Sequence, residues 1–336
     1  MKRSPSIRPG AVGRRQLLAA TGVAATSLAL PIGTWAQQWP ARPIRWIVPY
    51  AAGGPSDVFT RPVAAELSGI LGQPVVVENI SGAGANIGCE RVAKSAPDGY
   101  TLGLASTGSH AVNPHIYAKS PFDPLADFTH LTLTCRYVNQ LIVNSQSPIR
   151  SIADLVDYAK QHPAAYGSAG VGATNHLSGE LLSRVAGVPL LHVPYRGNAP
   201  ALAALMGGDI TFMFDMPTNS QSAVAAGRVR QLAVTTAKRW RYLPDVPTMA
   251  EAGVKGFAEA GTDLWFAAVA PPGLPQDIRT RLHAALLRAL HSPRVAQIAG
   301  EQQFEIWTST PEELVHEIRT GLDRWGRIAR ASGAKA

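Results

Sequence analysis

The fold is decided by two stretches near the start of the chain, WIVPYAAGGPSD (residues 46–57) and VVVENISGAGAN (residues 75–86). Each stretch begins with the apolar residues of a strand, passes through a glycine-rich turn and ends where a helix begins. The first turn of a helix carries backbone N–H groups without partners and the positive end of the helix dipole. Because both junctions have this arrangement, the sequence predicts an anion site built from backbone.

The alternation of strands and helices continues along the chain and predicts an α/β fold of two lobes, each a mostly parallel sheet flanked by helices. The first lobe opens with a βαβαβ unit, and a β-type stretch at 131–143 follows it. We predict strands at 44–49, 75–78, 101–105, 165–168, 190–194, 210–215, 229–235 and 263–270, and helices at 56–71, 86–95, 151–162, 175–185, 198–206, 220–226, 276–291, 293–300 and 311–332.

The order of these elements requires the chain to cross between the lobes twice. We therefore predict a discontinuous first lobe, residues 37–137 and 265–336, and a second lobe of residues 138–264. A cleft between two hinged α/β lobes is a place where small ligands bind and drive closure.

Residues 1–36 have the composition of a secretory signal. Five basic residues and no acidic residue precede or border an apolar run from Leu17 to Leu30, and Arg14-Arg15 is typical of the twin-arginine type. A membrane anchor is the alternative, but the run is shorter than the roughly 20 apolar residues that a spanning helix needs. We expect export to the periplasm, with residues 1–36 removed.

Removal of the signal changes the charge of the protein. Five of the 31 Lys and Arg residues lie in it, which leaves 26 against 23 acidic residues, a net charge of +3. A nucleic-acid-binding function loses its main support, because no basic stripe with interleaved aromatic residues remains. Cys89 and Cys135, the two cysteines, exclude a disulfide scaffold and a cysteine-based zinc site, and they form either one bridge or two buried thiols.

The two first-lobe junctions have a competing interpretation as a dinucleotide site. Gly82, Gly84 and Gly88 give the spacing G-x-G-x-x-x-G, a variant of the dinucleotide fingerprint. That site requires an acidic residue after the next strand, but the strand at 101–105 is followed by Ser106 and Thr107. A small anion therefore fits these two junctions better than a dinucleotide does. Ser56 or Asp57 is predicted to cap the helix that follows Gly53 and Gly54.

The second lobe contains a third glycine-rich junction, GSAGVGATNH (residues 167–176). Ser168 is not a hydrolase nucleophile by motif, because the nucleophile elbow requires G-x-S-x-G. Thr174 or Asn175 is predicted to cap the following helix and to contact a ligand through its polar side chain.

Two charged residues also follow predicted strands of the second lobe. Asp215 either caps the following segment or accepts hydrogen bonds from a hydroxyl or ammonium group of a ligand. Arg196 either neutralises an anionic ligand or faces solvent. The nine histidines show no i, i+4 pair beside an acidic set, so we predict no metal site.

Five sets of motifs, in this order, resemble the periplasmic solute-binding proteins of tripartite tricarboxylate transporters, also called the Bug family. They are PYAAGGPSD (49–57) with Arg61, ENISGAG (78–84) with Gly88, PDGYTL (97–102), HVPYRG (192–197) with GGD (207–209), and DVPT (245–248) with EAG (251–253).

The resemblance implies a Venus-flytrap binding protein, monomeric and without a cofactor, that captures a small carboxylate such as an organic, amino or aromatic acid. It also implies delivery of the ligand to membrane permease subunits. The ligand-binding residues that we predict from the loops and this resemblance are Tyr50, Gly53, Gly54, Ser56, Asp57, Ser81, Gly82, Ala83, Gly84, Ser106, Ser168, Thr174, Asn175 and Asp215.

Two other functions remain possible at this point. An exported α/β enzyme, either a nucleotide-dependent oxidoreductase or a hydrolase, is disfavoured because the ribose-binding acid and the nucleophile elbow are missing. A sensor that signals to a membrane kinase would use the same binding site and differ only in its partner.

Overall fold

A computed structural model describes residues 39–257 and 264–333, so the predicted signal segment lies outside the described residues. The described part contains the strands β1 Ile44–Val48, β2 Val75–Asn79, β3 Thr101–Ser106, β4 Thr129–Tyr137, β5 Gln140–Asn144, β6 Ala165–Ser168, β7 Leu191–Pro194, β8 Phe212–Asp215, β9 Val229–Val234, β10 Leu264–Ala270 and β11 Glu305–Ile306. Its α-helices are α1 Pro55–Leu71, α2 Asn86–Ala93, α3 Asn113–Ile116, α4 Ile152–Gln161, α5 Thr174–Ala186, α6 Asn198–Gly207, α7 Pro217–Ala225, α8 Gln276–Leu290, α9 Pro293–Glu301 and α10 Pro311–Ser332, with short 3₁₀ and π turns at Ala83–Ala85 and Gly108–Val112.

The strands form two sheets, in the orders β11-β4-β10-β3-β1-β2 and β7-β6-β8-β5-β9. In the first sheet β1 to β4 run in one direction, and β10 and β11 run against them. In the second sheet β5 runs against the other four strands. The reversed strands β5 and β10 each follow a crossing between the sheets, whereas the reversed strand β11 is a two-residue strand at the edge of the first sheet.

Both faces of the six-stranded sheet are covered, because side chains alternate across each strand. Trp46 and Val48 join the apolar cluster that contains α1 and α8, whereas Ile47 joins the cluster that contains α2 and α10. The five-stranded sheet is covered in the same way, by α4 and α5 on one face and α6 on the other. The carboxyl ends of the parallel strands are left for the connecting loops.

The β-type stretch predicted at 131–143 contains two strands, β4 and β5. The chain leaves the first sheet at Val138-Asn139 and enters the second as β5. The Asn139 carbonyl accepts hydrogen bonds from the backbone N–H and the hydroxyl of Thr235, at 2.9 and 3.0 Å, which continues the pairing of β5 with β9 by one residue.

The two cysteines are free and buried in different clusters. Cys89 lies in the cluster beneath α2 and α10, and Cys135 in the cluster beneath α1 and α8. Of the two alternatives left open by the sequence, the structure therefore has two separate thiols. Each helix in the described part of the chain is too short or too polar to cross a membrane.

Gly88 brings the two glycine-rich junctions together. A Cβ atom added at Gly88 would lie 2.6 Å from the Ile80 carbonyl oxygen and 2.7 Å from Pro49 Cβ. Pro49 leads into the first loop and Ile80 into the second, so the missing side chain lets α2 pack against both.

We expect Gly88→Ala to lower the free energy of unfolding by about 2 kcal/mol or more, because two backbone segments must move to accept the methyl group. Gly69→Ala is the matched control, since an added Cβ there meets nothing within 4 Å. In the helix α1 it should raise stability by about 0.5–1 kcal/mol. Urea unfolding of both variants measures the difference, and equal effects would contradict the close approach at Gly88.

Candidate functional site

The candidate site is formed by loops at the carboxyl ends of parallel strands from both sheets, which is where α/β folds place ligands. Asn113, 1% exposed, lies between two of these loops. Its Nδ2 donates to the Gly84 carbonyl at 2.7 Å and to Asn86 Oδ1 at 2.8 Å. A Cβ added at Gly172, on the second-lobe loop, would lie 3.0 Å from Asn113 Oδ1. The second and third glycine-rich loops therefore meet at Asn113.

The first loop is held from below by Asp57. Its Oδ2 accepts hydrogen bonds from the Gly53 N–H at 2.9 Å and from Arg61 Nε at 2.8 Å. Arg61 also donates to Asn79 Oδ1 at 3.0 Å, and Asn79 donates to the Tyr50 carbonyl at 3.1 Å. This series of hydrogen bonds fixes the loop and leaves the backbone at Gly53 exposed.

The predicted cap of α1 is wrong, because the helix begins at Pro55 with Gly54 as its N-cap. Ser56 and Asp57 are buried within the first turn, so they lie beneath the loop rather than on its surface. Burial alone would raise the pKa of Asp57, but Arg61 and the Gly53 N–H outweigh it and lower that pKa. Asp57 is therefore a charged carboxylate that positions Gly53.

The second loop has a left-handed backbone over four consecutive residues. Gly82, Ala83, Gly84 and Ala85 have φ values of 134°, 45°, 60° and 86°. The conformation costs about 1–2 kcal/mol for each alanine. Strain of this kind is retained at binding sites, where successive N–H groups turn towards an anion. Ser81, Ala83 and Gly84 are exposed, so this backbone is accessible.

Hydroxyl groups line the floor between the first loop and β3. The Tyr50 hydroxyl lies 2.6 Å from Ser106 Oγ, and the Ser109 hydroxyl lies 2.9 Å from His110 Nδ1. Burial lowers the pKa of His110 to about 3 and raises that of Tyr50 well above its ordinary value. The group is therefore neutral at physiological pH, and its hydroxyls are available as hydrogen-bond donors or acceptors.

Thr174, at the start of α5, connects the second lobe to this floor. Tyr137, at the end of β4, hydrogen bonds to Thr174, and Asn139 Nδ2 donates to Thr174 Oγ1 at 3.4 Å. The α5 N-cap is Ala173, which provides no side-chain hydrogen bond, so the predicted caps Thr174 and Asn175 are wrong. Thr174 contacts the crossing instead.

Ser168 and Asn175 turn towards their own lobe. The Ser168 hydroxyl lies 2.6 Å from His192 Nε2 and accepts from the Gly170 N–H at 3.1 Å. Asn175 accepts from the Ala169 N–H at 3.2 Å and donates to Asn198 at 3.1 Å. Both side chains shape the third loop, and their contact with a ligand stays a prediction.

A stack of rings supports this loop from behind. The rings of His176 and His192 lie 3.9 Å apart, and Tyr166 stacks on His192 at 5.0 Å. Burial lowers the pKa of His176 to about 3 and that of His192 to about 4. In the described residues, no set of His, Cys, Asp and Glu side chains has an arrangement that would hold a metal ion.

Asp215 is a completely buried carboxylic acid at the end of β8. Its Oδ2 accepts from Asn219 Nδ2 at 3.0 Å, and its Oδ1 has no hydrogen-bond partner among the described residues. Burial raises the pKa of Asp215 to about 7, although hydrogen bonds from Asn219 and Ser220 oppose the shift. Arg196 is exposed, and its proposed contact with an anion stays a prediction.

Three residues that assemble the site were not predicted, because no motif around them indicates a role in binding. Asn113, Tyr137 and Asn139 lie in or next to the linking region, and their partners are 27 or more residues away in the chain. Asn113 precedes a proline at the start of a short helix, which is a common turn signal without functional meaning.

Residues 59–334 match the model of a protein family, the tripartite tricarboxylate transporter family receptor. The chain belongs to this receptor family. Protein BugT of Bordetella pertussis is 34% identical over 325 residues, which cover 95% of this receptor and 98% of BugT.

Solved structures are similar over the same range. Rpa4515 of R. palustris, with adipate, is 38% identical with a TM-score of 0.83, covering 88% of this receptor and 99% of that chain. MatC of Rhodopseudomonas palustris, with bound malate, is 32% identical with a TM-score of 0.80, covering 86% and 99%. The receptor therefore has the two-lobe fold of periplasmic binding proteins, which confirms the predicted fold class.

The buried acid of the receptor makes its stability depend on pH. An acid whose folded pKa is raised binds more protons when folded, so the contribution of Asp215 to stability falls as pH rises from about 4 to about 7 and then levels; the buried histidines with lowered pKa values act in the opposite direction. We expect Asp215→Asn to remove this fall, which is worth up to about 1.4 kcal/mol per pH unit. The exposed Asp157, paired with Lys160, provides the control Asp157→Asn. Urea unfolding from pH 4 to 8 tests this, and parallel curves for wild type and Asp215→Asn would contradict it.

Proposed function

We propose that the protein is a periplasmic receptor that captures a small carboxylate between its two lobes and delivers it to the membrane subunits of a tripartite tricarboxylate transporter. The lobes would be residues 37–137 with 265–336, and residues 138–264. Export by the twin-arginine route and action as a monomer belong to the same proposal. A sensor function with a membrane kinase would use the same site.

The convergence of three glycine-rich loops carries this proposal. Gly84 and Gly172 come from different lobes, and both lie against Asn113. Such a site is complete only when the lobes are together, which is the property a receptor needs in order to signal that it is loaded. The similar structures with adipate and with malate support carboxylates as the ligand class.

The ligand carboxylate would bind backbone N–H groups at Ser81–Gly84 and the hydroxyls of Tyr50 and Ser106. The N–H groups of Gly53 and Gly54 already donate to Asp57 Oδ2 and to the Ala51 carbonyl, so these two glycines would border the ligand without donating to it. Arg61 is engaged by Asp57, so backbone dipoles rather than a free cation would hold the anion. Each charge-assisted hydrogen bond contributes about 1.5–3 kcal/mol, and three or four of them suffice for a micromolar Kd.

Residues of the second lobe would contact the distal end of the ligand. Thr174 offers a hydroxyl and the uncapped N-terminus of α5, and Ser168 and Asn175 would act by holding the third loop. Asp215 Oδ1, buried without a partner, would accept from a hydroxyl, an ammonium or a second, protonated carboxyl group. This arrangement favours hydroxy, amino or dicarboxylic acids over simple monocarboxylates.

A hydrolase function is poorly supported by the pair of Ser168 and His192. The 2.6 Å contact resembles a nucleophile and its base, but Ser168 is completely buried. Burial also lowers the pKa of His192 to about 4, which makes it a weak base at neutral pH. We therefore propose a binding function without catalysis.

We expect calorimetry of residues 37–336 with adipate, malate, succinate, glutamate and acetate to find at least one ligand with a Kd on the order of 1 µM. Tyr50→Phe should weaken that ligand about tenfold, because it removes a hydroxyl from the floor of the site. Tyr158→Phe, on the remote helix α4, is the control and should bind normally. If all the acids fail to bind, or if both variants bind alike, the proposed site is wrong.

A further inference from the structure

A second basic cavity lies away from the cleft, between α5, the segment before residue 258, and α10. Its volume is about 290 Å³, and its charged lining consists of Arg184, Arg324 and Arg327. Leu181, Val185 and Ile328 form apolar walls, of which Leu181 and Ile328 are buried. Arg184 and Arg327 are exposed and Arg324 is half-buried, so the three guanidinium groups give this surface a positive local field that salt screens.

The three arginines are not neutralised by the part of the chain that the structure describes. The guanidinium group of each makes no hydrogen bond or ion pair with a described residue. Glu180, one helical turn before Arg184, accepts a hydrogen bond from the Tyr166 hydroxyl at 2.6 Å and lies 3.7 Å from His176 Nε2. Its carboxylate is therefore directed into the second lobe.

A larger basic pocket on the first lobe provides a comparison, because most of its cations are paired with carboxylates. It has a volume of about 650 Å³ and contains four cationic side chains. Arg42 pairs with Asp98 at 2.9 Å, Lys94 pairs with Glu90, and Arg45 lies 3.5 Å from Glu78. Three of the four cations in that pocket are paired with carboxylates, whereas the described residues that line the arginine cavity include no carboxylate.

The arginine cavity is also built from both halves of the molecule. Arg184 lies in the last turn of α5, which covers the five-stranded sheet, and Arg324 and Arg327 lie on α10, which covers the six-stranded sheet. Leu177 of α5 packs into the apolar cluster of Trp325 and Ile328. The same helix α5 begins at Thr174, in the candidate ligand site, and reaches the cavity about three turns later.

We propose that this cavity is a second anion site, separate from the carboxylate cleft, which binds a small oxyanion such as phosphate between the two lobes. Guanidinium groups bind tetrahedral oxyanions through paired N–H donors, and an oxyanion would relieve the repulsion among three like charges. Favourable interaction of Arg184 with the helix dipole accounts for one arginine near a helix end, but not for three around one cavity.

The site has a consequence for the receptor, and this consequence rests on the proposed function. An oxyanion that joins α5 to α10 stabilises the arrangement in which Thr174 meets Tyr137. By linkage, the bound oxyanion raises the affinity of the cleft for its ligand by a certain factor, and the cleft ligand raises the affinity of the cavity for the oxyanion by the same factor.

The test is calorimetric titration of residues 37–336 with inorganic phosphate at pH 7.5, at low ionic strength and against chloride of matched ionic strength. We expect saturable binding with a Kd on the order of 1 mM or tighter. The double variant R184Q/R324Q should bind at least about tenfold more weakly. R91Q, which removes an exposed arginine of the other pocket, is the matched control and should bind as the wild type does.

The absence of saturable phosphate binding by the wild-type chain would overturn the proposal, as would undiminished binding by R184Q/R324Q or an equal loss in R91Q. Circular dichroism in chloride establishes that the variants are folded, and the single variants R184Q and R324Q provide the same test if the double variant is not. Carboxylate is absent from this titration. Its outcome is therefore independent of whether the cleft binds carboxylates.

Discussion

The hydrogen bonds of Asn113 hold the candidate site together. Its side-chain amide fixes the carbonyl of Gly84 and the side chain of Asn86, and the backbone of Gly172 from the other lobe lies against its oxygen. The left-handed turn from Gly82 to Ala85 is strained, and a strained turn persists only where its surroundings determine it. Asn113 is the buried residue that both holds this turn by hydrogen bonds and contacts the loop of the opposite lobe.

The electrostatics of the cleft follow from this construction. Burial keeps His110 uncharged, and Asp57 occupies Arg61, so the region expected to receive an anion holds it by dipoles and hydroxyls rather than by a free cation. Backbone donors fixed in advance cost little reorganisation when a ligand arrives. In the proposed function they would recognise the carboxylate that all candidate ligands share, and selection among these ligands would depend on the second lobe, above all on Asp215.

The sequence predicted those parts of the fold that depend on neighbouring residues. The strands and glycine loops at 46–57 and 75–86 follow from local periodicity and from glycine in the turns, and the structure has them. The residues on both sides of Val138-Asn139 favour a strand, and a change of sheet leaves no mark on periodicity, so the lobe boundary predicted at 137/138 came from the order of the elements. The bond from Thr235 to Asn139 joins residues 96 apart in the chain and has no local signal in the sequence.

The helix caps show the same limit. The sequence offers Ser56, Asp57, Thr174 and Asn175 as good caps, yet the N-caps are Gly54 and Ala173. In each case the polar side chain bonds instead to a loop residue just before the helix: Asp57 accepts from the Gly53 N–H and Asn175 from the Ala169 N–H. The residue types that favour caps mark the start of each helix, but they do not show which nearby N–H group the side chain will bond.

The central claim is that a carboxylate is held by backbone N–H groups of loops from both lobes. Amide hydrogen exchange of residues 37–336, with and without the tightest acid found by calorimetry, tests it most directly. The account predicts that added protection is concentrated at residues 81–84 and 174–176. Protection that leaves these amides unchanged and appears instead on another surface, such as residues 87–101, would contradict it.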